Sequence, residues 1–368
     1  MVFESMIARG HETLVFCHDD ASGLRGIIAI HNTTLGPALG GTRRWAYKSE
    51  AAAIEDVLRL SEAMTYKAAA ADLPMGGAKS VIWTRSPDEK PTESLARAMG
   101  RAVERMGGIY IAAEDVGVNT QFIDWMAEET KFVMGGEKVA AGGDPAPFTA
   151  LGVVSGMRGA LRHVGRSKSL KDVVIAVQGL GALGRNVCQI AAGEGAKLLV
   201  TDIREELIED AVKRFGATAV PVDEIISAEC DILCPCALGQ VITANNIASL
   251  RCKIVAPGAN NVLDDPDEDA AMLSGRSIIY CPDFVNNGGG LLQLAGLWCG
   301  FSAAELDRRI RNIENVIEQI LKDAEKMSSA HAAALEYAKK RLEAGRKGPS
   351  TPRVRTTKGS ATSAQGSA

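Results

Sequence analysis

The sequence is poor in the groupings that build metal centres and disulfide frameworks. Its five histidines lie far apart in 368 residues, and its eight cysteines are scattered. The one tight pair, Cys234-Pro235-Cys236, has no second pair at zinc spacing, so no metal site is expected. A long chain of this kind is not a disulfide scaffold either. No apolar run reaches the roughly 18–20 residues of a membrane span. The opening MVFESMIARGHE carries acids early and lacks the basic-then-apolar order of a secretion signal. A net charge of −4 leaves no electrostatic footprint for nucleic acid or an anionic membrane. There is no G-x-S-x-G elbow and no internal repeat. These absences point to a cytoplasmic protein whose partners are small molecules, not nucleic acid or membrane.

What is present is ordinary globular composition, 46% hydrophobic and 23% charged, at a length that suits two domains. The most unusual stretch is MTYKAAAADLPMGGAKSVI, Met64 to Ile82, with Lys67 and Lys79 flanking a Leu-Pro-Met-Gly-Gly turn. The segment before it reads as an amphipathic helix with Ser49 as N-cap. Its stripe Val57, Leu60, Met64 continues to Lys67, and a lysine there must snorkel, pair, or face a wet cleft. Lys79 opens the strand-like run ending in Val81 and Ile82. Two cations brought together call for an anion; alternatively they are a surface lysine and a loop lysine.

Upstream, Leu14 to His18 and Leu24 to His31 read as an antiparallel hairpin turned at Asp19, Asp20, Ser22 and Gly23. The following TTLGPALGGTR holds Gly40-Gly41, either a plain turn or a place where backbone N–H groups approach an anion. Downstream, Ile109 to Ile111 is a strand ending in Ala112-Ala113-Glu114-Asp115, so Asp115 is a candidate acid or base at a cleft edge. The run GGEKVAAGGDPAPFTA reads as a linker and hinge.

The composition then changes. Val173 to Val177 is a continuous apolar run typical of a strand buried on both faces. It leads into G-x-G-x-x-G at Gly179, Gly181 and Gly184, then a helix, then a second strand closed by Asp202, 23 residues after Gly179. Gly179 makes the tight turn, Gly181 lets a pyrophosphate reach the helix N-terminus, Gly184 lets helix and strand pack, and Asp202 accepts from the adenosine ribose. The acid favours NAD over NADP, with Arg204 nearby as the one contrary residue. Strand-like runs follow at Asp231 to Leu233, Lys253 to Val255 and Ser277 to Tyr280. Asn260, Asn261 and Asn287 lie in the loops after the last two, as turn residues or as polar contacts in the crevice. From Ser302 the chain is helical, with a Ser302/Glu305 capping box and the stripe Leu306, Ile310, Ile313, Ile317, Ile320. A second helix, about Ala332 to Leu342, is expected to pack back on the first domain.

From about residue 10 to 340 the chain resembles the amino-acid dehydrogenases acting on glutamate, leucine, phenylalanine and valine, and is most similar to those acting on leucine. The likeness rests on GPALGGTR, the lysine stretch, AEDVG, VQGLGALG, CALG, ANN and the glycine run after Asn287, in that order. It implies an α/β protein: an N-terminal α/β substrate domain with a mixed sheet and a Rossmann-type doubly wound NAD-binding domain. The implied limits are 1–136 plus a helix at about 328–345, then 137–327, with a disordered tail at 346–368. The implied reaction is NAD-dependent oxidative deamination of an L-amino acid to a 2-oxo acid and ammonia, by a homo-oligomer.

By the same likeness Lys79 is catalytic with Asp115 as acid/base partner. Lys67 holds the substrate carboxylate beside Gly41, and Asn261 and Asn287 line the cleft. Leu39, Ala113, Leu291 and Leu294 face the substrate side chain. Gly179, Gly181, Ala182, Leu183, Gly184, Asp202, Ala237 and Asn260 hold the cofactor. Leu39 and Ala113 resemble leucine-type enzymes, whereas Leu291 and Leu294 stand where such enzymes carry valine and favour shorter branched substrates. Asn286, Gly288 and Pro257-Gly258 also depart from the pattern, on the cofactor side of the cleft. Branched aliphatic substrates are therefore expected, with aromatic substrates (phenylalanine, tryptophan) and a silent NAD-binding regulatory paralogue as alternatives.

Overall fold

The computed structural model describes residues 2–137 and 144–347. The first half holds α1 (Val2–Arg9), β1 (Thr13–Asp19), β2 (Leu24–Asn32), β3 (Ala38–Trp45), α2 (Glu50–Ala70), β4 (Gly76–Trp83), α3 (Glu93–Arg105), β5 (Tyr110–Glu114) and α4 (Thr120–Ala127). Its five strands form one sheet in the order β1-β2-β4-β3-β5. β1 and β2 pair antiparallel, as the turn signals predict, and β2 pairs antiparallel with β4. β3 lies parallel to both β4 and β5, which makes the sheet mixed.

The second half runs α5 (Ala146–His163), β6 (Val174–Gln178), α6 (Ala182–Gly193), β7 (Lys197–Thr201), α7 (Glu205–Phe215), β8 (Thr218–Ala219), β9 (Ile232–Pro235), β10 (Ile254–Val255), α8 (Pro266–Gly275) and β11 (Ile279–Tyr280). The remaining helices are α9 (Asp283–Asn286), α10 (Gly289–Cys299), α11 (Ala303–Arg311), α12 (Ile313–Ala324) and α13 (Ala330–Lys347). Six parallel strands stand in the order β11-β10-β9-β6-β7-β8. Counted from β6 this is 3-2-1-4-5-6 read from the other edge, the dinucleotide-binding order, with its switch point between β6 and β9.

Helix α2 shows why the lysine stretch folds as it does. Ser49 caps it, its hydroxyl accepting from the Ala52 N–H at 3.2 Å. The buried face is Ala53, Ile54, Val57, Leu58, Ser61, Thr65 and Ala68, pressed on β2 and β4. Each fully buried Leu, Ile or Val there contributes roughly 1.5–3 kcal/mol. The predicted stripe through Leu60, Met64 and Lys67 is displaced from this face, and those three residues are half-buried on the flank. The expected Pro-Met-Gly-Gly turn is also displaced. Asp72, at φ +55°, turns the chain, and Gly76 and Gly77 already belong to β4, where a Cβ at Gly77 would collide with the Thr65 backbone.

Three further expectations are corrected. The linker is shorter than its Gly/Pro composition implied, because α5 begins at Ala146; its residues 138–143 lie outside the described residues. The loop expected to carry Asn287 after the last strand is largely helical, as α9 and the start of α10. The C-terminal stripe is carried by two helices, α11 and α12, meeting at Asn312. The Ser302 cap on the Glu305 N–H forms as predicted, at 3.2 Å. Helix α13 returns to pack on α2 through Leu35, Ala69, Ala338 and Leu342. The expected tail lies, from residue 348 on, outside the described residues. Among the described residues no helix is long and apolar enough to cross a membrane.

Candidate active site

Strands β3, β4 and β5 bring Gly41, Lys79 and Asp115 together. Lys79 sits mid-strand on β4, and its ammonium meets Asp115 Oδ2 at 2.8 Å, with the lysine side chain only 7% exposed. Gly41 pairs with Ala113 on β5, and a Cβ there would lie 2.8 Å from the Asp115 Cβ and 3.2 Å from the Lys79 Nζ. Any larger residue would therefore crowd the lysine. Gly40 and Gly41 are strand residues, not a turn; a Cβ at Gly40 would collide with the Ala78 carbonyl. Burial lowers the proton affinity of Lys79, with Arg43 adding to the effect and Asp115 opposing it. Burial alone would raise Asp115, but the charge and hydrogen bond of Lys79, joined by Arg43, hold it below the usual carboxylate range.

Lys67 faces the opposite wall. Its ammonium donates to Asn287 Oδ1 at 2.8 Å and to Asn260 Oδ1 at 3.3 Å, so the two halves of the molecule touch at this point. Asn287 Nδ2 in turn donates to Asn260 Oδ1 at 2.7 Å and to the Gly258 carbonyl at 3.2 Å. Burial pushes Lys67 down to about 8; Asp283 opposes the shift and Lys79 adds to it. Two of its three N–H donors are directed at asparagines, leaving the third for a ligand. Asn261 is not part of this cluster: it is exposed, at φ +51°, and its carbonyl accepts from the Gln240 N–H. Asn286 is fully buried, with Nδ2 on the Pro257 carbonyl at 2.8 Å and Oδ1 against Gly156 of α5. It braces the 257–260 loop from behind. Gly288, the other departure, starts the turn into α10.

Leu39, Ala113, Leu291 and Leu294 all belong to the main hydrophobic core, the first two buried and the last two, on α10, partly so.

At the second sheet's switch point Gly179 takes φ +93°, which only glycine adopts without strain. A Cβ at Gly179 would meet Ala237, and one at Gly184 would collide with the Gly179 carbonyl. Gly181 caps α6 with no side-chain bond and borders open space, so the first helical N–H groups are free for an anion. Ala182 and Leu183 form the first turn. Asp202 closes β7 with Oδ2 accepting from the Leu180 N–H at 2.7 Å and Oδ1 from the Arg204 N–H at 3.0 Å. Arg204 Nε also approaches Oδ1, at 3.4 Å.

Reasoning from the sequence missed Arg43, Asp56 and Tyr47. Arg43 donates from Nε to Asp115 Oδ2 at 2.9 Å and from Nη1 to Asp56 Oδ2 at 3.1 Å, and Tyr47 donates to that same Asp56 oxygen at 2.7 Å. The signal was an arginine two residues after the glycine pair on a strand beside Asp115. Among the described residues no cluster of three metal-binding side chains occurs.

A mixed-sheet half carrying paired lysines, closed against a Rossmann-type half, defines an amino-acid dehydrogenase. Residues 11–132 match the model for the Glu/Leu/Phe/Val dehydrogenase dimerisation domain, and residues 200–351 match that for Glutamate/Leucine/Phenylalanine/Valine dehydrogenase. The chain belongs to this family. It is 43% identical over 343 residues to a leucine dehydrogenase of Bacillus cereus, covering 93% of each chain. It is also 43% identical over 355 residues to that of Thermoactinomyces intermedius, covering 95% of this chain and 96% of the relative. The crystal structure of L-tryptophan dehydrogenase from Nostoc punctiforme superposes with a TM-score of 0.87 at 36% identity, covering 94% of this chain and all of that one.

Proposed function

We propose that the protein is a cytoplasmic, homo-oligomeric, NAD-dependent dehydrogenase that oxidatively deaminates a branched aliphatic L-amino acid, leucine or valine, to the 2-oxo acid and ammonia. The observation that carries this reading is the pair of lysines: one is joined to a carboxylate on its own sheet, the other to asparagines of the nucleotide-binding half. Residues 1–136 with the helix at about 328–345 bind the substrate, and 137–327 bind the cofactor. The glycine turn and free α6 N-terminus suit a pyrophosphate, and the acid at Asp202 disfavours a 2′-phosphate. NAD held there would supply the acceptor for a hydride from the substrate Cα.

The chain's own residues do the rest. Lys67 and the Gly41 region hold the substrate carboxylate, and that anion restores the charge that burial weakens at Lys67. Asn260 and Asn287 fix the Lys67 ammonium from the far wall, and Asn261 borders the same loop. Lys79, buried and biased toward its neutral form, takes a proton from the water that attacks the imino carbon. Asp115, held ionised, passes protons to and from it. Leu39, Ala113, Leu291 and Leu294 supply an apolar pocket, where one methylene changes discrimination by roughly 1–3 kcal/mol. Overlap between branched substrates is therefore expected.

The tryptophan dehydrogenase likeness favours one second reading, an aromatic substrate. Initial rates of NADH formation with a panel of L-amino acids, run with NAD and NADP, separate the two. Leucine or valine with NAD should lead. Turnover of tryptophan with both inert would transfer the protein to the aromatic reading. NAD binding without turnover of any amino acid would make it a silent regulatory paralogue.

A further inference from the structure

Behind Asp115 lies a chain of charges that the reaction as drawn does not use. Asp115 Oδ2 is shared: it takes the Lys79 ammonium at 2.8 Å and the Arg43 Nε–H at 2.9 Å. Arg43 reaches on to Asp56 Oδ2 at 3.1 Å. The same aspartate accepts the Tyr47 hydroxyl at 2.7 Å and, on Oδ1, Arg59 at 2.8 Å. Three elements meet here, since Arg43 is on β3, Asp115 follows β5 and Asp56 is on α2. Arg43 is pinned at both ends, between Asp115 and Asp56, with its side chain 21% exposed, so its charges are less screened than those of a solvent-exposed pair.

We propose that Arg43 is a positioning residue for the reaction: held between Asp56 and Asp115, it fixes the Asp115 carboxylate against Lys79. This rests on the role given to Lys79 above. A planar guanidinium suits the task, because its fork can serve two carboxylates at a fixed distance. Its charge acts on the neighbours in opposite senses. Asp115 is held ionised, and Lys79 is discouraged from carrying a second positive charge beside it. Asp56 tempers this by partly neutralising Arg43. The charged and titratable groups facing Lys79 are Asp115 from the end of β5, Arg43 from β3, and Asp56 and Lys67 from α2. Tyr47 and Tyr110 are the phenols that feel Asp115. Removing Arg43 and removing the Asp56 charge should therefore move the lysine in opposite directions.

The test is the pH profile of kcat for Arg43→Gln, Arg43→Lys, Asp56→Asn and Lys79→Ala, on the full chain with NAD and the best amino acid of the panel. Arg43→Gln should move the acid limb up by about 1 pH unit, so that the rate on that limb falls about tenfold and recovers at higher pH. Asp56→Asn should move the limb down, and Arg43→Lys should keep it near the wild-type position because the charge stays. Thermal unfolding and NAD binding establish that each variant is folded, and if Arg43→Gln does not fold, the downward shift in Asp56→Asn decides alone. Losses that are parallel at every pH, in both Arg43→Gln and Asp56→Asn, would overturn the inference, since a merely structural role predicts them. Should Lys79→Ala keep wild-type turnover, the reading of Lys79 itself fails, which is a separate outcome from parallel profiles with an inactive Lys79→Ala.

Discussion

In the proposed reaction Lys67 and Lys79 carry the chemistry at the scale of single residues, and their surroundings differ enough to separate them by experiment. Lys79 is buried on a strand against Asp115, whereas Lys67 is half-buried on a helix flank with asparagines as its only side-chain acceptors among the described residues. Lys79→Ala should lower kcat by about 10²–10⁴-fold, the usual share of a general base, while NAD affinity measured by fluorescence titration stays near wild type. Lys67→Ala should act chiefly on the amino acid and raise its KM at least about tenfold, since a charge-assisted hydrogen bond contributes roughly 1.5–3 kcal/mol. An unchanged KM would count against a carboxylate contact. The candidate residues were legible in the sequence only together, because a lysine on a helix stripe and an acid at a strand end each also read as ordinary surface residues, and their roles came from the family resemblance. Arg43 and Asp56 were not legible. Alone, an arginine on a strand and an aspartate on a helix read as solvated, and only the pairing of β3 with β5 and the phase of α2 bring them to Asp115. That Asn260, expected at the cofactor, is the asparagine that joins Asn287 at Lys67 was likewise not legible, since it depends on the path of the 257–261 loop.

Packing of α2 on the sheet is decided at the scale of elements. Gly77 faces the Thr65 backbone so closely that Gly77→Ala must push the helix away, at a cost of about 1–3 kcal/mol or more, and a lowered Tm together with lost activity would register it. The middle of α2 is held by two imidazole rings, His31 buried and His11 partly so. His11 Nε2 lies 3.1 Å from the Leu58 carbonyl and 2.9 Å from the Ser61 hydroxyl, and its Nδ1 is buried without a hydrogen-bond partner. His31, stacked edge-on at 4.7 Å between centroids, bridges Thr65 and the Arg9 carbonyl. Burial, then the neighbouring His31, pushes His11 down to about 4, and burial lowers His31 as well. Between pH 6.5 and about 4 the unfolded chain binds a proton that folded His11 refuses, so stability is fully present above that window and falls as pH drops through it. Tm measured from pH 7 to 4.5 should fall, and His11→Gln should flatten the slope; equal slopes would remove His11 as the cause. Elements with one dominant pattern, such as β6 and the Ser302 cap, were legible from sequence, and α2 was legible as a helix but not in the phase of its buried face. Helix α5 was hidden because its packing uses glycine: Gly152 and Gly159 let α10 and α12 approach its backbone, and such residues leave no hydrophobic period to read.

At the scale of the whole molecule, the doubly wound parallel sheet and the return of α13 onto the first half were expected from sequence, but the side-chain pairs that close one half on the other were not. That closure depends on α13 returning to α2, where Arg341 and Arg309 both pair with Asp72, and on Lys67 crossing to Asn287, contacts separated by hundreds of residues. One surface is left unfinished by this arrangement. Strand β1 is paired on one side only, by β2, and exposes Phe16, while α1 buries none of its residues and exposes Phe3 and Ile7. An unpaired strand edge with apolar neighbours is a template for a second chain, and soluble monomers usually blunt such an edge with lysine or proline. The first half is also the part that matches a model described as a dimerisation domain. In the proposed homo-oligomer, two β1 edges meeting about a two-fold axis are one contact this surface would allow. Phe16→Lys with Ile7→Lys places like charges opposite each other across such an axis. In sedimentation or light scattering the double variant should run as a smaller species than the parent, with reduced Tm because burial at the interface is lost. The parent mass retained by the variant would move the interface to another face and leave this edge without a partner.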